Sequence, residues 1–469
     1  MSGTGGIGGA GGTAVADLRE LLRGEVIGPA DSGYDEARAL YNAMIDRRPA
    51  VVARCADTTD VRAALRYARD HDMDLSVRGG GHSGAGQSVV DGALVVDLSD
   101  GLRWVRVDPE ARTALVGGGT QLGDLDHEAH GYGLGVPAGV MSTTGVGGLT
   151  LGGGHGHLTR RYGLTVDSLT GADVVLADGT TVTASADEHP DLFWALRGGG
   201  GNFGIVTAFR FALHPVDTVG LGVTLWEPER IGHVLRWYRE FLPNAPEDVN
   251  GFFAVLTVAP GPPFPEELHH RKMCGVVWCL TGPTDEESLA EALAPVAEPG
   301  PPAFHFATPI PYPALQAMFD ELIPKGLQWY WRGDLFDRIT DDAVDTHREF
   351  LERMPTELST MHLYPVDGAT RRTGPMDTAW AYRDAVWSGV IAGIGTEPAE
   401  ADAVRAWARD YWSALHPQSM GAAYVNFLGE EEGEGRVRDT YRGHYDRLRE
   451  VKRTYDPDNV FHHNQNIAP

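Results

Sequence analysis

Glycine is concentrated in one part of this sequence, and that concentration constrains the fold more than any other feature. The 469 residues include 60 glycines, about 13% against a typical share of about 7%. Thirty of them lie between positions 79 and 204, with the densest runs at 78–83 (RGGGHS), 145–157 (GVGGLTLGGGHGH) and 198–204 (GGGGNFG). Because glycine tolerates positive φ and close backbone approach, such loops can direct several amide N–H groups at one anion.

These glycine runs match neither common nucleotide-binding loop. A Walker loop requires Gly-Lys-Ser/Thr after its glycines, and no run provides it. A Rossmann loop closes the first strand of a βαβ unit and leads into a helix, whereas the run at 78–83 follows a second predicted strand and precedes further strands. Tight turns and packing would explain any single run. Three runs within 127 residues favour a phosphate-binding cradle in another fold.

Charge and cysteine content exclude several classes of protein. The 39 Lys and Arg residues against 65 Asp and Glu residues give a formal net charge of −26, so a polyanion would be repelled and no nucleic-acid partner is expected. Cys55, Cys274 and Cys279 form no Cys-x-x-Cys pattern, which argues against a disulfide framework and predicts a reducing, cytoplasmic location. No run approaches about 18 apolar residues, so no membrane partner is expected.

The order of predicted elements indicates an α+β protein. Residues 1–12 are expected to be a disordered tail, and a β-α-β opening follows over 50–78. Short strands continue to about residue 213. From about 214 to 415 glycine is sparse, and the pattern predicts an antiparallel sheet backed by helices. After 416 the sequence predicts a strand at 422–427 and a charged helix at 436–452.

Seven ordered motifs resemble the berberine bridge enzyme-like flavoproteins of the vanillyl-alcohol oxidase superfamily. They are 78–82 (RGGGH), 137–139 (PAG), 144–148 (TGVGG) with 152–154 (GGG), 161–164 (RYGL), 191–204 (DLFWALRGGGGNFG), 424–427 (YVNF) and 464–467 (NQNI). The resemblance covers essentially the whole chain after the tail. It implies a two-domain fold in which an FAD-binding domain, 1–213 plus the returning segment 416–469, is split around a substrate-binding domain, 214–415.

The resemblance also implies how FAD is held. The loop at 79–81 wraps the pyrophosphate, and His82 matches the histidine that bonds to the flavin 8α-methyl group. Met141 stands where many relatives carry a second, cysteine attachment, and a thioether cannot attack as a thiolate does, so attachment through His82 alone is expected. The expected cofactor-binding residues are Arg78, Gly79, Gly80, Gly81, His82, Ser83, Met141, Ser142, Thr144, Gly145, Gly148, Gly153, Gly154, His157, Ile205, Val206, Tyr424, Asn426, Asn464 and Asn466.

The catalytic base that the family suggests is missing. Phe427 stands where many relatives carry a tyrosine, and phenylalanine cannot exchange a proton. On the predicted strand at 360–364, His362 and Tyr364 point to one face. His362 is the first candidate base because its ordinary pKa of about 6.5 suits proton transfer at neutral pH, and Tyr364 is the second. A structural core histidine is the alternative interpretation. Tyr330, Trp331 and Phe427 are expected to line a hydrophobic substrate pocket.

Together these features predict an FAD-linked oxidase. The single histidine attachment and the ending Asn426-Phe427 resemble bacterial oxidases of secondary metabolism, so we expect two-electron oxidation of an aromatic or polyketide-like molecule, with O2 reduced to H2O2. A carbohydrate or primary-alcohol oxidase is one alternative, and a flavin-bearing binding protein without turnover is another. His82, His155 and His157 lack a carboxylate or cysteine at ligand spacing, so no metal is expected. The sequence leaves the oligomeric state open.

Overall fold

The computed structural model of the protein describes residues 7–469. The first helix corrects one expectation, because residues 7–12 form its opening turns instead of a disordered tail, and residues 1–6 of that tail lie outside the described residues. Val15 and Leu18 of this helix are buried in the core. The α-helices span Ile7–Leu21, Tyr34–Arg38, Thr58–Asp70, Leu122–His130, Val146–Leu151, Thr159–Tyr162, Pro190–Leu196, Ile231–Asn244, Glu286–Leu293, Tyr312–Gln316, Asp341–Glu352, Ala401–Leu415, Gly433–Tyr441 and Tyr445–Tyr455.

A four-stranded sheet leads into the first glycine run. Its strands are, in spatial order, Val26–Ile27, Val51–Arg54, Leu94–Asp97 and Leu75–Arg78, and the last three run parallel. The helix Thr58–Asp70 makes the crossover, and the Asp57 side chain caps it by accepting two backbone N–H groups. The predicted β-α-β opening is therefore confirmed, and its last strand ends directly before Gly79.

A second, antiparallel sheet carries the remaining strands of the glycine-rich part. Its order is Val105–Asp108, Thr113–Gly117, Ile205–Ala212, Leu169–Val175 and Thr181–Ser185, and a short pairing joins Leu134–Gly135 to His214–Pro215. The core beside this sheet contains Trp194 and Phe209 together with Tyr441 and Leu448 from the two C-terminal helices. The C-terminal segment therefore packs against the glycine-rich part of the chain.

Residues 218–395 build a seven-stranded antiparallel sheet. Its order is Phe304–Pro311, Thr218–Trp226, Lys272–Leu280, Val249–Thr257, Thr360–Pro365, Trp387–Gly395 and Gln328–Phe336. The helices Ile231–Asn244, Asp341–Glu352 and Ala401–Leu415 pack on one face. On the other face, Val223, Phe252 and Tyr364 share a core with Leu158 of the glycine-rich part. The expected α+β class, with an antiparallel sheet backed by helices, is confirmed.

Two strands of this sheet carry signals that obscure them in the sequence, and a third carries aromatic residues that favour a strand. Phe304–Pro311 contains two prolines, which an edge strand tolerates because its outer N–H groups need no partner. Trp387–Gly395 contains three glycines, and tertiary burial of all nine residues compensates for their low strand preference. The third, Gln328–Phe336, carries the aromatic run around Trp331.

The C-terminal segment differs from the sequence prediction in two places. The expected strand at 422–427 is wrong: Val425–Phe427 is a 3-10 turn, because Tyr424 and Asn426 bind backbone groups of the second glycine run instead of a strand partner. The expected helix at 436–452 is interrupted at Arg442, whose φ of +45° ends one helix before the next begins. None of the described helices is both long and apolar enough to span a membrane.

Candidate active site

Two glycine loops meet backbone to backbone at a large cavity. The first follows the strand Leu75–Arg78, and the second enters the helix Val146–Leu151. A Cβ added at Gly80 would overlap the backbone of Gly145, and a Cβ added at Gly145 would overlap that of Gly80. Both positions therefore require glycine, and both line the cavity.

The amides of the first loop are free to bind a ligand. Within the described part of the chain, no acceptor receives a hydrogen bond from the amide of Gly80, Gly81, His82 or Ser83. Gly81 has a φ of +68°, which turns the backbone between its neighbours. A row of unpartnered N–H groups in a curved loop is a suitable cradle for phosphate oxygens.

His82 is held in a fixed position at the end of this loop. Its ring stacks on Tyr41, with centroids 3.9 Å apart and 22° between the planes. Its Nε2 atom lies 3.0 Å from Thr143 Oγ1. Burial lowers the pKa of His82 to about 4, so the imidazole is neutral at neutral pH. Met141 also lines the cavity, and its sulfur lies 4.0 Å from the Tyr41 hydroxyl.

His362 and Tyr364 form a hydrogen-bonded pair on the wall of the same cavity. Both lie on the strand Thr360–Pro365, and alternation along this strand brings them to one face. His362 Nδ1 is 2.6 Å from the Tyr364 hydroxyl. Burial lowers the pKa of His362 to about 4 and raises that of Tyr364, so both are neutral at neutral pH and are joined by one hydrogen bond.

His155 is a further cavity residue with unused hydrogen-bonding capacity. Neither of its ring nitrogens has a partner among the described residues, although the side chain is buried. Burial lowers its pKa to about 3, which keeps it neutral. Its ring centroid lies 4.7 Å from that of Tyr424 and 5.3 Å from that of Tyr364. This position allows His155 to donate or accept one hydrogen bond with a ligand.

The C-terminal segment closes the cavity with Tyr424, Asn426 and Phe427. Asn426 Nδ2 donates to the Tyr424 hydroxyl at 2.7 Å and to the Gly148 carbonyl at 3.1 Å. The Tyr424 hydroxyl accepts from the Gly154 amide at 3.2 Å. These bonds fasten the turn 425–427 to the second glycine run and place Phe427 on the cavity wall.

Comparisons with known proteins agree with this arrangement. A model of an FAD binding domain matches residues 49–185, and a berberine and berberine-like model matches residues 423–468. The chain is 32% identical over 457 residues to the uncharacterized FAD-linked oxidoreductase YgaK of Bacillus subtilis, covering 96% of this chain and 97% of that protein. The chain belongs to the berberine bridge enzyme-like family of FAD-linked oxidoreductases. The family and the enzyme class predicted from the sequence are therefore confirmed.

Solved structures show the same fold. The 6-hydroxy-D-nicotine oxidase from Arthrobacter nicotinovorans has a TM-score of 0.84 at 26% identity, covering 96% of this chain and 98% of that chain. A glucooligosaccharide oxidase from Acremonium strictum, described with a 6-S-cysteinyl, 8α-N1-histidyl FAD, has a TM-score of 0.84 at 22% identity, covering 97% and 99% of the two chains. The predicted vanillyl-alcohol-oxidase-type fold is confirmed.

The cavity of this berberine bridge enzyme-like protein has a volume of about 1010 Å³. Sites for single small molecules are usually about 300–1,000 Å³, so the space suits a dinucleotide together with a substrate. The predicted residues that line it are Gly79, Gly80, Gly81, His82, Ser83, Met141, Thr144, Gly145, Gly148, Ile205, Val206, Tyr424, Asn426, Asn464, His362, Tyr364, Trp331 and Phe427. Sequence reasoning missed Tyr41 because a lone tyrosine outside every family motif carries no signal.

Some predicted cofactor residues lie behind the cavity wall instead of lining it. The Arg78 guanidinium binds the Asp97 carboxylate and the Ala37 carbonyl, and Ser142 binds Asp320. Gly153 packs beneath Trp380. Gly154, His157 and Asn466 are likewise absent from the lining of this oxidoreductase.

Two residues absent from the lining have neighbours that do line the cavity. Gly156 packs tightly on the backbone of Ala138 and Gly139; of the histidines on either side of it, His155 lines the cavity and His157 does not. Tyr330 likewise alternates with Trp331, and its hydroxyl lies 3.0 Å from Arg332 Nε and from Arg409 Nε on the opposite side of the sheet. Tyr330 therefore does not line this cavity.

Proposed function

We propose that this protein is an oxidase that carries FAD bound covalently through His82 alone. The observation that carries the proposal is the free row of loop amides that ends in a neutral imidazole held by Tyr41 and Thr143. Met141 stands at the position where a cysteinyl link would form, and all three cysteines are buried elsewhere in the fold. A thioether forms no such link, so a single attachment point remains.

The residues around the cavity fit the parts of FAD. The amides of Gly80, Gly81 and Ser83 would hold the pyrophosphate, and His82 would bond to the ring system. His155, with both ring nitrogens unused, is suited to a polar atom of the cofactor. When bound, FAD supplies the two-electron acceptor, which O2 reoxidises with formation of H2O2.

The substrate we propose is a small aromatic or polyketide-like molecule. Beyond His362 and Tyr364 the cavity continues between apolar side chains of the seven-stranded sheet and its loops, such as Val223, Pro263, Phe264 and Phe306. These side chains bind flat, apolar molecules well and offer little to a hydroxyl-rich sugar. This composition favours an aromatic substrate over the carbohydrate alternative, and a protein without turnover would have no use for the paired proton acceptor.

Within this proposal His362 removes a proton from the substrate. At neutral pH its imidazole is uncharged, and Tyr364 is bonded to it at 2.6 Å. The imidazole can accept one proton and become an imidazolium, while the Tyr364 hydroxyl keeps its own proton and orients the ring; His362 would thus take the role of the tyrosine that Phe427 replaces. Trp331 and Phe427 would pack on the substrate and exclude water from the proton transfer.

We also propose the domain limits and location that the sequence suggests. Residues 1–213 and 416–469 form the FAD-binding domain, residues 214–415 form the substrate-binding domain, and the free, buried cysteines fit a cytoplasmic location.

Anaerobic titration tests the proposed activity. A panel of phenolic, polyketide-like, nicotine-like and sugar substrates is added to the purified yellow protein, and flavin absorbance is followed. The proposal expects bleaching by an aromatic compound, followed by one equivalent of H2O2 when O2 is admitted. Bleaching by sugars alone supports the carbohydrate alternative, and reduced protein that does not react with O2 indicates another electron acceptor. A panel that never bleaches the flavin supports the binding protein.

A further inference from the structure

Three possible metal ligands meet where the C-terminal tail crosses the start of the strand Leu75–Arg78. Asp74 immediately precedes this strand, and His462 and His463 follow the buried Phe461. His462 Nε2 lies 3.5 Å from Asp74 Oδ1, and His463 Nε2 lies 3.7 Å from Asp74 Oδ2. The two imidazole centroids are 4.1 Å apart. Within residues 7–469, this is the one group of three such side chains whose ligand atoms all lie within 4.8 Å of one another.

These separations fit a shared metal ion better than direct hydrogen bonds. Hydrogen bonds from N–H to oxygen are about 2.7–3.2 Å long, so both Asp74 contacts are too long. Ligands at the corners of a zinc tetrahedron, with bonds of about 2.0–2.2 Å, lie about 3.3–3.6 Å from one another. The observed spacing therefore leaves room for an ion between the three side chains.

Both imidazoles present an unused nitrogen to Asp74. His462 Nδ1 lies 2.9 Å from the Asn459 carbonyl, and an N–H donated there leaves the lone pair on Nε2. His463 Nε2 is buried and has no hydrogen-bond partner among the residues the structure describes. Arg47 is close enough to His463 for its positive charge to act on the imidazole. The Arg47 guanidinium is, however, already paired with the Glu430 carboxylate at 2.7 Å. The ligand atoms are thus oriented before any ion arrives.

We propose that Asp74, His462 and His463 form a zinc site that joins the C-terminal tail to the strand leading into the first glycine loop. Two imidazoles and one carboxylate select a borderline-soft ion such as Zn²⁺ over Mg²⁺ or Ca²⁺. Asp74 is exposed, so water can complete the fourth position. The expectation of no metal considers only His82, His155 and His157, whereas Asp74 is far from His462 and His463 in the sequence and meets them only in the folded protein.

Zinc binding at this site should stabilise the folded protein. The ion would connect Asp74, which precedes Leu75, with the two histidines that follow Phe461. Leu75 and Phe461 belong to one hydrophobic cluster. Because the unfolded chain separates Asp74 from the histidines, zinc binds the folded state more tightly and raises its unfolding temperature. The proposal is independent of the identity of the substrate.

Equilibrium dialysis of the flavin-loaded protein, prepared without a histidine tag and stripped with EDTA, tests the site. We expect one Zn²⁺ per chain and a higher unfolding temperature with Zn²⁺, with no rise in Mg²⁺. Asp74→Asn and His463→Asn should each weaken zinc binding by about tenfold or more. Because the Asp74 side chain is 56% exposed, Asp74→Asn should fold normally.

A second pair of adjacent histidines provides the matched control. His270 Nδ1 lies 2.9 Å from the Glu357 carboxylate, but His269 Nε2 is already bonded to the Gly261 amide at 3.1 Å, and this pair is not part of any group of three ligand atoms within 4.8 Å of one another among residues 7–469. His270→Asn should bind zinc as the wild type does. Wild-type protein that retains no zinc, or an Asp74→Asn variant with unchanged affinity, would overturn the proposal. If His270→Asn loses as much zinc affinity as Asp74→Asn and His463→Asn do, zinc binds surface histidines adventitiously, and the proposal is overturned as well.

Discussion

The ring of Tyr41 stacks on the imidazole of His82, with the ring centroids 3.9 Å apart. Tyr41 is itself fixed, because its hydroxyl donates to the Ile323 carbonyl and its amide donates to the Gly81 carbonyl. The stack therefore connects the first glycine loop to the chain around Ile323 and sets the plane of the imidazole. A nucleophile that must bond to one carbon of a bound ring system depends on such a fixed orientation.

Tyr41→Ala should lower the fraction of FAD that is covalently attached, while Tyr41→Phe should retain most of it. The phenylalanine variant keeps the stacked ring and loses only the hydroxyl bond, so the pair separates stacking from hydrogen bonding. The measurement is the flavin absorbance of the acid-precipitated protein relative to total flavin. Equal attachment in the alanine variant and the wild type would contradict the role assigned to the stack.

Gly80→Ala should abolish FAD binding. A Cβ there overlaps the backbone of Gly145, so the two loops must separate, at a cost of about 1–3 kcal/mol of folding free energy. Gly33→Ala is the control, because a Cβ at Gly33 meets nothing within 4 Å and its φ is −85°. Visible absorbance of the two purified variants distinguishes them. A yellow Gly80→Ala protein would show that the contact is not required.

His362→Ala should slow anaerobic flavin reduction by about 10²–10⁴-fold, the usual contribution of general base catalysis. Tyr364→Phe removes only the bonded hydroxyl and should slow the reaction less, by about tenfold. Because the pKa of His362 is lowered to about 4, the wild-type rate should stay level at neutral pH and fall only as the pH approaches 4, where the base becomes protonated. Stopped-flow absorbance measures each rate. An unchanged rate in His362→Ala would exclude this base.

Buried neutral histidines should make the protein less stable as the pH falls below about 6.5. Burial lowers the pKa of His155, His157 and His347 to about 3 and that of His362 to about 4, whereas unfolded histidine titrates at about 6.5. Between about pH 6.5 and 4 the unfolded chain binds protons that the folded chain does not. Each such histidine then costs about 1.4 kcal/mol of stability per pH unit of decrease.

His347→Gln tests this pH dependence away from the cavity. Burial raises the pKa of Asp126 to about 7, so below pH 7 the folded chain holds a proton on this carboxyl that the unfolded chain releases. The contribution of Asp126 to the pH dependence of stability is therefore opposite in sign to that of a buried histidine and offsets one of them. Glutamine can keep the bond that His347 makes to the Tyr411 hydroxyl but cannot titrate. Urea unfolding at several pH values gives the slope of the unfolding free energy against pH. In His347→Gln this slope should correspond to one fewer proton taken up on unfolding than in the wild type. An identical slope would mean that His347 is not held neutral by the fold.

Sequence reasoning could find residues that belong to contiguous motifs. The glycine loops, His82 and the turn at 424–427 all lie in such motifs, and alternation along one predicted strand brings His362 and Tyr364 to one face. Local backbone rules are enough for these features because strand direction and glycine content are encoded within a few residues.

Other residues depend on packing that no short pattern encodes. Choosing between His155 and His157 requires the folded course of the chain at Gly156, which packs on the backbone of Ala138 and Gly139. Separating Tyr330 from Trp331 requires the strand Gln328–Phe336, whose partner Trp387–Gly395 is hidden by its glycines. The position of Tyr41 against His82 likewise exists only after folding.

Acid precipitation of the purified protein tests whether FAD is bonded covalently through His82 alone. We expect a yellow pellet from wild-type protein, and a colourless pellet with free flavin in the supernatant from His82→Ala. Met141→Ala serves as the control and should leave the pellet yellow. Flavin released into the supernatant from wild-type protein, or a yellow pellet from His82→Ala, would contradict the account.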